Sequence, residues 1–332
     1  MRILALACLL LMPFAGDARA GDACPALRAR TADAEPAVRI AALACNEHLH
    51  WFRPFIDRDG RLASLTVAEA EASLLDDGHS AAWQRVAAYW EESGLLARMQ
   101  WLPGAADCRR ALADAQPSPA CRAFVVDTPW SAAFVSWVMA RANLPGFPRS
   151  ASHVDYVRHA LQKPAKSAYD FADPATAVPA TGDLLCYVRQ PERRFGHAGL
   201  REVLGADGRG LNMHCEIVIA ANAGRDGLAW LIGGNVQQAV TMRLLNLNHA
   251  GRLWALPQRG GADPPCAPDQ AAGCNFNRQD WAVLLKLKPT EALARLPGAE
   301  VVPPAPATPA CCVHCVLGSG VPRCPPAGDT NR

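Results

Sequence analysis

The sequence has no excess of charge of either sign. Its 33 lysine and arginine residues and 31 aspartate and glutamate residues leave a formal net charge of +2. Proteins that hold a nucleic acid backbone usually concentrate basic residues on one surface, and such a surface raises the net charge of the domain. The balanced composition therefore gives no support for a nucleic-acid partner.

Long apolar runs are absent beyond the first 20 residues. The chain begins with Arg2, the apolar run Ile3 to Phe14 and the small-x-small sequence Ala18-Arg19-Ala20, which is typical of a cleaved export peptide. The run is too short for a permanent transmembrane helix, and no later segment is long and apolar enough for one. We therefore expect residues 1–20 to be a signal peptide and the mature protein to be exported, either periplasmic or secreted.

The sequence also lacks the two paired CxxC motifs of a structural zinc site. It has 13 cysteines, of which 12 remain when Cys8 leaves with the signal peptide. An even number of cysteines in an exported chain predicts disulfides. We expect neither a metal nor a cofactor, and we expect the cysteines of the tail to form local disulfides.

Closeness in the sequence favours three disulfides, namely Cys24 with Cys45, Cys108 with Cys121, and Cys266 with Cys274. Cys186 and Cys215 lie in strand-like runs. They are either two buried thiols or a cross-strand pair.

The sequence patterns divide the mature chain into three parts. Residues 21–105 carry helical patterns, including a capping box at residues 66–69 ahead of an alanine-rich helix and an apolar stripe over residues 83–90. Residues 106–260 begin with a disulfide-stapled loop and then combine helices with strands. Residues 261–332 form a Cys/Pro-rich extension with one strand or helix over residues 281–287, and we expect this extension to be flexible after residue 297.

The stretch 127–138, DTPWSAAFVSWV, predicts the central helix of the protein. Trp130, Phe134 and Trp137 fall at helical spacing, so that one face can be buried. The helix should end near Asn143, ahead of a Pro-Gly pair.

The start of this helix is a favourable place for a catalytic side chain. Asp127 or Thr128 can cap it, and Pro129 suits a first turn that needs no amide donor. Ser131 then lies among free backbone N–H groups at the positive end of the helix dipole, where a nucleophile or an oxyanion is stabilised.

The next segments predict a second helix and then strands. Residues 150–157 favour a helix, in which His153 either reaches a cleft or only caps and packs. Residues 213–220 alternate as a strand, with His214 and Glu216 on one face and Cys215 on the other. A Gly-Asp pair ending at Asp183 precedes the strand 184–188, and the strand 228–232 runs into the sequence GGNV, which is followed by a strand over residues 240–244.

The order of these features resembles the CHAP and NlpC-type amidase/peptidase superfamily. Its members carry Pro-Trp-Cys-Ala-Ala-Phe-Val-x-Trp at the nucleophile helix, where this chain has PWSAAFVSW over residues 129–137. More narrowly, the chain resembles the bacterial domain of unknown function 2272, in which serine likewise stands at the cysteine position. The resemblance covers roughly residues 80–255 and implies an α+β, papain-like domain with N-terminal helices on a mostly antiparallel sheet.

The resemblance implies a set of site residues. Ser131 stands at the nucleophile position, His214 at the position of the base and Asn235 at the position of the group that orients the base. Supporting candidates are Glu216, which shares the face of His214, together with His153, Trp130 and Asp183.

The exchange of cysteine for serine changes the expected chemistry. A serine hydroxyl is far less acidic than a thiol, so it needs a neutral histidine to take its proton during attack. We therefore expect an exported hydrolase of amide or ester bonds, with peptidoglycan or a similar peptide as its substrate. The alternative is a catalytically silent relative that binds a cell-envelope ligand.

Overall fold

The structure, a computed structural model, describes residues 22–114, 117–190, 192–206, 210–260, 266–298 and 301–302. Helices dominate the first half of the chain and strands the second. In chain order the elements are α1 (Cys24–Leu27), α2 (Pro36–His50), β1 (Phe55–Ile56), β2 (Leu62–Ala63), α3 (Ala82–Glu92), α4 (Ala105–Asp114), α5 (Pro119–Asp127), α6 (Ser131–Arg141), α7 (His153–Gln162), β3 (Tyr169–Ala172), β4 (Leu184–Val188), α8 (Gly196–Ala206), β5 (Met213–Ala221), β6 (Leu228–Val236), β7 (Ala239–Asn246), β8 (Asp280–Leu287) and α9 (Thr290–Leu293).

The strands form one mixed sheet that positions the rest of the molecule. Its order is β2-β1-β7-β6-β5-β4-β8-β3. All neighbouring strands are antiparallel except β1 and β7, which are parallel. The expected α+β class with a mostly antiparallel sheet is therefore confirmed.

The two faces of the sheet are buried in different ways. The helices α2, α6 and α7 pack against the face that carries Cys215 and Ile217, and together they form the larger core. The other face is covered by its own smaller apolar cluster, which includes Val218 and Trp281, and by the chain after β7. Because both faces of the sheet are covered, the inner strands carry apolar side chains on both faces. Alternate residues of β5 therefore belong to two different cores.

Helix α6 lies at the centre of the larger core. Its residues from Ser131 to Met139 are all buried, between α2 and α3 on one side and β5 and β6 on the other. The backbone of β6 approaches so closely that a Cβ added to Gly234 would lie 2.5 Å from the Cβ of Phe134. A glycine at this position is therefore a requirement of packing.

The start of α6 differs from the expected one. Asp127 ends α5, Thr128 is its C-cap in an extended conformation, and Trp130 is the N-cap of α6. The residue before a proline is driven out of the helical region by the proline ring. Pro129 therefore separates two helices, which meet at a bend of 99°, and neither Asp127 nor Thr128 caps α6.

Two further local predictions are wrong. Residues 64–80 form turns and not the capped helix expected there, because Glu69 turns inward to the indole of Trp130 while Glu71 accepts the N–H of Ala68. The segment between Cys108 and Cys121 is not a simple loop, since these cysteines lie in α4 and α5. The predicted helices over residues 83–90 and 150–157 are found as α3 and α7.

The last strand lies inside the sheet and not at its margin. Strand β8 pairs with β4 on one side and with β3 on the other. The boundary expected at residue 260 is therefore not a boundary of the sheet, and the segment around residues 280–287 belongs to the central fold. The expected signal peptide, residues 1–20, and most of the expected flexible tail, residues 303–332, lie outside the described residues.

Four disulfides link described cysteines, and three of them are the expected pairs: Cys24–Cys45, Cys108–Cys121 and Cys266–Cys274. The fourth joins Cys186 of β4 to Cys215 of β5. These residues face each other directly across the antiparallel ladder, which decides between the two alternatives in favour of the cross-strand pair. Several disulfides in one chain are compatible with an extracytoplasmic protein.

No single helix among the described residues has the length and hydropathy needed to cross a membrane. Helices α5 and α6 reach that length and hydropathy only when they are counted together across the bend between them.

One buried histidine couples folding to pH. The Nε2 of His48, in α2, lies 2.9 Å from the carbonyl oxygen of Pro54 and donates to it. Burial lowers the pKa of His48 from its ordinary value of 6.5 to about 4. As the pH falls below 6.5, the unfolded chain therefore binds a proton at this side chain that the folded chain does not bind, and acidification favours unfolding.

We predict that His48→Gln, which retains a donor for Pro54, makes the protein less sensitive to acid. Between pH 7 and pH 5 the wild type should lose about 2 kcal/mol more of its free energy of unfolding than the variant, by proton linkage. Urea denaturation of both proteins at both pH values measures this difference, and the other histidines cancel because both proteins contain them. Equal losses in the two proteins would contradict a neutral, buried His48.

Candidate functional site

Two side chains that each open a helix meet at the centre of the site. Ser131 is the first residue of α6 and His153 the first residue of α7. The Oγ of Ser131 lies 2.7 Å from the Nε2 of His153. This is the distance at which a histidine can take the proton of a serine nucleophile.

Tyr156 holds the other side of the imidazole. Its hydroxyl is hydrogen bonded to the Nδ1 of His153 from three residues further along α7, on the same helix face. When Nε2 accepts the hydroxyl proton of Ser131, Nδ1 carries the ring proton and donates it to the phenolic oxygen of Tyr156. Burial raises the pKa of Tyr156 well above its ordinary value, so the phenol remains neutral and orients the ring without adding a charge.

The charge state of His153 suits a general base. Burial lowers the pKa of His153 well below its ordinary value, and the neighbouring His214 and Arg189 lower it further. The imidazole is therefore neutral at pH 7, which a proton acceptor requires. The same burial opposes the imidazolium that forms when the ring accepts a proton.

The N-terminus of α6 supplies donors beside the nucleophile. The first intrahelical hydrogen bond runs from the N–H of Phe134 to the carbonyl of Trp130. Helix geometry therefore leaves the N–H groups of Ser131, Ala132 and Ala133 without partners inside the helix. Together with the positive end of the helix dipole, they can stabilise an oxyanion formed at the carbonyl that Ser131 attacks.

The pair opens onto a cleft of about 490 Å³. Ser131 and His153 form part of its wall, together with the apolar side chains of Trp90, Met99 and Met213. Arg189 and Asn212 line it from the ends of β4 and β5. Both Ser131 and His153 are nevertheless less than 10% exposed, at 7% and 4%, so only a small part of each side chain faces the cleft.

His214 packs beside His153 and makes no hydrogen bond to the hydroxyl of Ser131. Its ring centre is 5.0 Å from that of His153 and 5.2 Å from that of Tyr187, and it is fully buried. Neither ring nitrogen has a hydrogen-bond partner in the described part of the chain. The structure thus pairs Ser131 with His153, whereas the resemblance assigned His214 as its base.

Glu216 is engaged away from the nucleophile. Its carboxylate accepts hydrogen bonds from the Nε and Nη2 of the buried Arg243, at 2.8–3.0 Å. Burial works to raise its pKa, but the charge of Arg243 dominates and lowers the pKa of Glu216 to about 2. The Nε2 of His214 is 3.5 Å from the same carboxylate, which is too long for a good hydrogen bond.

Asn235 anchors α6 and does not orient a histidine. With its amide turned so that both ends are satisfied, its nitrogen donates to Glu69 at 3.0 Å and its oxygen accepts the backbone N–H of Trp130 at 3.3 Å. The indole of Trp130 donates to the same carboxylate of Glu69 at 2.6 Å. Glu69, only 5% exposed, therefore links β6 to the residue directly before Ser131.

Asp183 has a structural position outside the cleft. Its carboxylate accepts the N–H groups of Ala180 and Leu287 at 2.7 and 2.9 Å and pairs with Lys286. It therefore fastens the entry of β4 to the end of β8. Across the described ranges no three His, Cys, Asp or Glu side chains are grouped as ligands for a metal ion.

A protein-family model matches residues 77–287 of the chain. The family is described as an uncharacterized protein conserved in bacteria, domain of unknown function 2272 (DUF2272). The chain belongs to the DUF2272 family. No curated protein and no solved structure matches it.

The DUF2272 match spans the residues that form the site. It includes Ser131, His153, Arg189 and Asn235, as well as β8, in agreement with the position of that strand inside the sheet. The sequence did not identify Tyr156, Arg189 or Asn212 as residues of this site. Tyr156 could have been found from its position three residues after His153 on a predicted helix. No feature of the sequence pointed to Arg189.

We predict that Asn235 stabilises the fold by bonding to Glu69 and Trp130. Asn235 has a φ of 55°, so Asn235→Gly removes the side chain without adding strain to a left-handed backbone. The variant should lose about 1–3 kcal/mol of unfolding free energy, because it leaves buried polar groups unpaired. Asn235→Ala should lose about 1–2 kcal/mol more, because alanine is strained at this φ.

Urea denaturation of the wild type and both variants measures these losses. A loss below about 0.5 kcal/mol in Asn235→Gly would mean that the hydrogen bonds of Asn235 contribute nothing to stability.

Proposed function

We propose that the protein is a hydrolase of amide or ester bonds in which Ser131 is the nucleophile and His153 is the general base. The observation that carries the proposal is the 2.7 Å contact between the Ser131 Oγ and the His153 Nε2 at the wall of an open cleft. The position of Ser131 at the start of α6 supports it, because oxyanion donors then lie beside the nucleophile.

The reaction would proceed in two halves. His153 takes the proton of Ser131 while the Oγ bonds to the substrate carbonyl, and the oxyanion lies near the free N–H groups of α6. His153 then passes the proton to the leaving amine or alcohol, and an acyl-enzyme remains. His153 then deprotonates a water molecule as it attacks the acyl carbon, and the imidazolium returns that proton to the Oγ of Ser131 as the bond between Oγ and the acyl carbon breaks and the acid product leaves.

His214 takes a different place in this mechanism from the one that the resemblance implied. It packs against His153 at a ring separation of 5.0 Å and restricts where that ring can lie. His214, Asn235, Glu216, Trp130 and Asp183 would then act on structure and positioning, while Ser131 and His153 carry the chemistry.

The proposed substrate class rests on the resemblance, and the proposed compartment rests on the sequence and the disulfides. The likeness to CHAP and NlpC-type enzymes supports a papain-like arrangement and peptidoglycan or a related peptide as substrate. The export peptide predicted for residues 1–20 and the four disulfides among the described cysteines support action outside the cytoplasm.

A second candidate is a catalytically silent relative that binds a cell-envelope ligand in the same cleft. The observation that favours it is the group behind the histidine, which is the neutral phenol of Tyr156. A carboxylate in that position would stabilise the imidazolium that forms during attack, and a phenol does so less well. The two candidates differ in whether Ser131 reacts.

We predict that a fluorophosphonate probe labels the wild type at Ser131 and that the protein releases fragments from peptidoglycan. Ser131→Ala should abolish labelling, and His153→Ala should slow it by about 10²–10⁴-fold, the usual contribution of a general base. His214→Gln should retain more than about a tenth of the rate, because His214 makes no hydrogen bond to Ser131. Mass spectrometry of the labelled peptide identifies the site, and circular dichroism checks that each variant folds.

The two histidine variants control for each other, and His153→Gln completes the comparison because it is the same substitution as His214→Gln and also removes a buried imidazole from the cluster. If His214→Gln abolishes labelling and His153→Ala does not, His214 is the base. A folded wild type that neither labels nor releases fragments supports the binding protein, and gain of activity in Ser131→Cys would then locate the loss in the nucleophile itself.

A further inference from the structure

Arg189 gives the cleft a charge that the proposed reaction does not use. It follows directly after β4, its side chain is exposed, and it lines the cleft with Ser131 and His153. Among the described residues that line this cleft there is no aspartate or glutamate. The cleft therefore presents a cation beside a nucleophile, and none of its described lining residues is an anion that would neutralise this charge.

The backbone that carries Arg189 is firmly held. Its N–H donates to the carbonyl of Asn212 at 2.8 Å, so the two residues face each other where β4 ends and β5 begins. Three residues before Arg189, the disulfide Cys186–Cys215 joins the same two strands. The position of the Arg189 Cα relative to Ser131 is thus set by a cross-linked sheet, as a substrate-positioning group requires.

The acidic groups on the neighbouring strand are engaged elsewhere. Asp280 of β8 pairs with Val188, but its carboxylate accepts the N–H groups of Phe195 and Gly196 at 2.7 and 2.9 Å. Arg189 itself forms no ion pair with a residue that the structure describes. The positive charge of Arg189 also acts on His153, the proposed base, because it contributes to lowering the pKa of both His153 and His214.

We propose that Arg189 binds a carboxylate of the substrate, so that the cleft selects acids over their neutral amide counterparts. A guanidinium binds a carboxylate through two parallel N–H···O bonds, and Asn212 adds an amide beside it. The apolar side chains of Trp90, Met99 and Met213 leave the rest of the cleft suited to an uncharged, largely apolar part of the ligand. The substrate class is therefore an amide or ester that carries a free carboxylate near the bond that is cleaved, which rests on the proposed function of Ser131.

Binding can be measured without catalysis. Isothermal titration calorimetry would compare N-acetyl-alanine, a carboxylate, with N-acetyl-alaninamide, its neutral counterpart, in the wild type, in Arg189→Gln and in Arg252→Gln. Arg252 is exposed and does not line the cleft, so its variant loses the same charge elsewhere. We expect the wild type and Arg252→Gln to prefer the acid by about tenfold or more.

Arg189→Gln should bind the two ligands equally, and Arg189→Lys should recover part of the preference because it restores the charge without the planar fork. The proposal is overturned if the wild type binds both ligands equally, if it does not bind the acid, or if Arg189→Gln keeps the preference. Fluorophosphonate labelling of the wild type reports on Ser131 alone. A protein that prefers the acid but does not label would therefore retain the carboxylate site and lose the hydrolase.

Discussion

The buried hydrogen bond between the indole of Trp130 and Glu69 is the constraint on which the site depends. Trp130 is fully buried, stacks with Trp51 and with Tyr89 at ring separations of 5.7 and 5.6 Å, and donates to Glu69 at 2.6 Å. An indole N–H in a core costs free energy unless it finds an acceptor, so Glu69 fixes the ring and with it the N-cap of α6. The next residue is Ser131, and its position follows from that of Trp130.

The same logic places the partner of the nucleophile. His153 opens α7 as Ser131 opens α6, so each side chain projects from the first turn of a helix whose direction the core determines. Both groups then lie near positive helix ends, which favour an oxyanion at one and a neutral imidazole at the other. The hydroxyl of Tyr156, on α7 itself, holds the ring from within the same helix. The pair is therefore an outcome of how two helices pack and not of two neighbouring residues in the sequence.

Local patterns predicted the central helix, several of the other elements and little of the site. Helices α3 and α7 and strands β4 to β7 follow from apolar periodicity, which core packing reinforces. Glu69 shows where prediction from local patterns fails. It was predicted to be part of a capping box, but its carboxylate accepts a hydrogen bond from the indole of Trp130, 61 residues away. The glycines at 233 and 234 resembled part of a catalytic motif, yet Gly234 is required by the approach of Phe134. The choice between His153 and His214 needed the packing of α7, which spacing alone does not contain.

The electrostatics of the cleft connect the two proposals. His153 must accept a proton, yet burial and the charge of Arg189 both hold its pKa down, and the neutral Tyr156 offers no charge to offset them. A carboxylate bound at Arg189 would neutralise the cation, and the opposition to an imidazolium at His153 would fall. The free site would then be a poor base, and the site with an acidic substrate a better one. On this argument the same interaction that selects the substrate also prepares the histidine, because both act through the charge of Arg189.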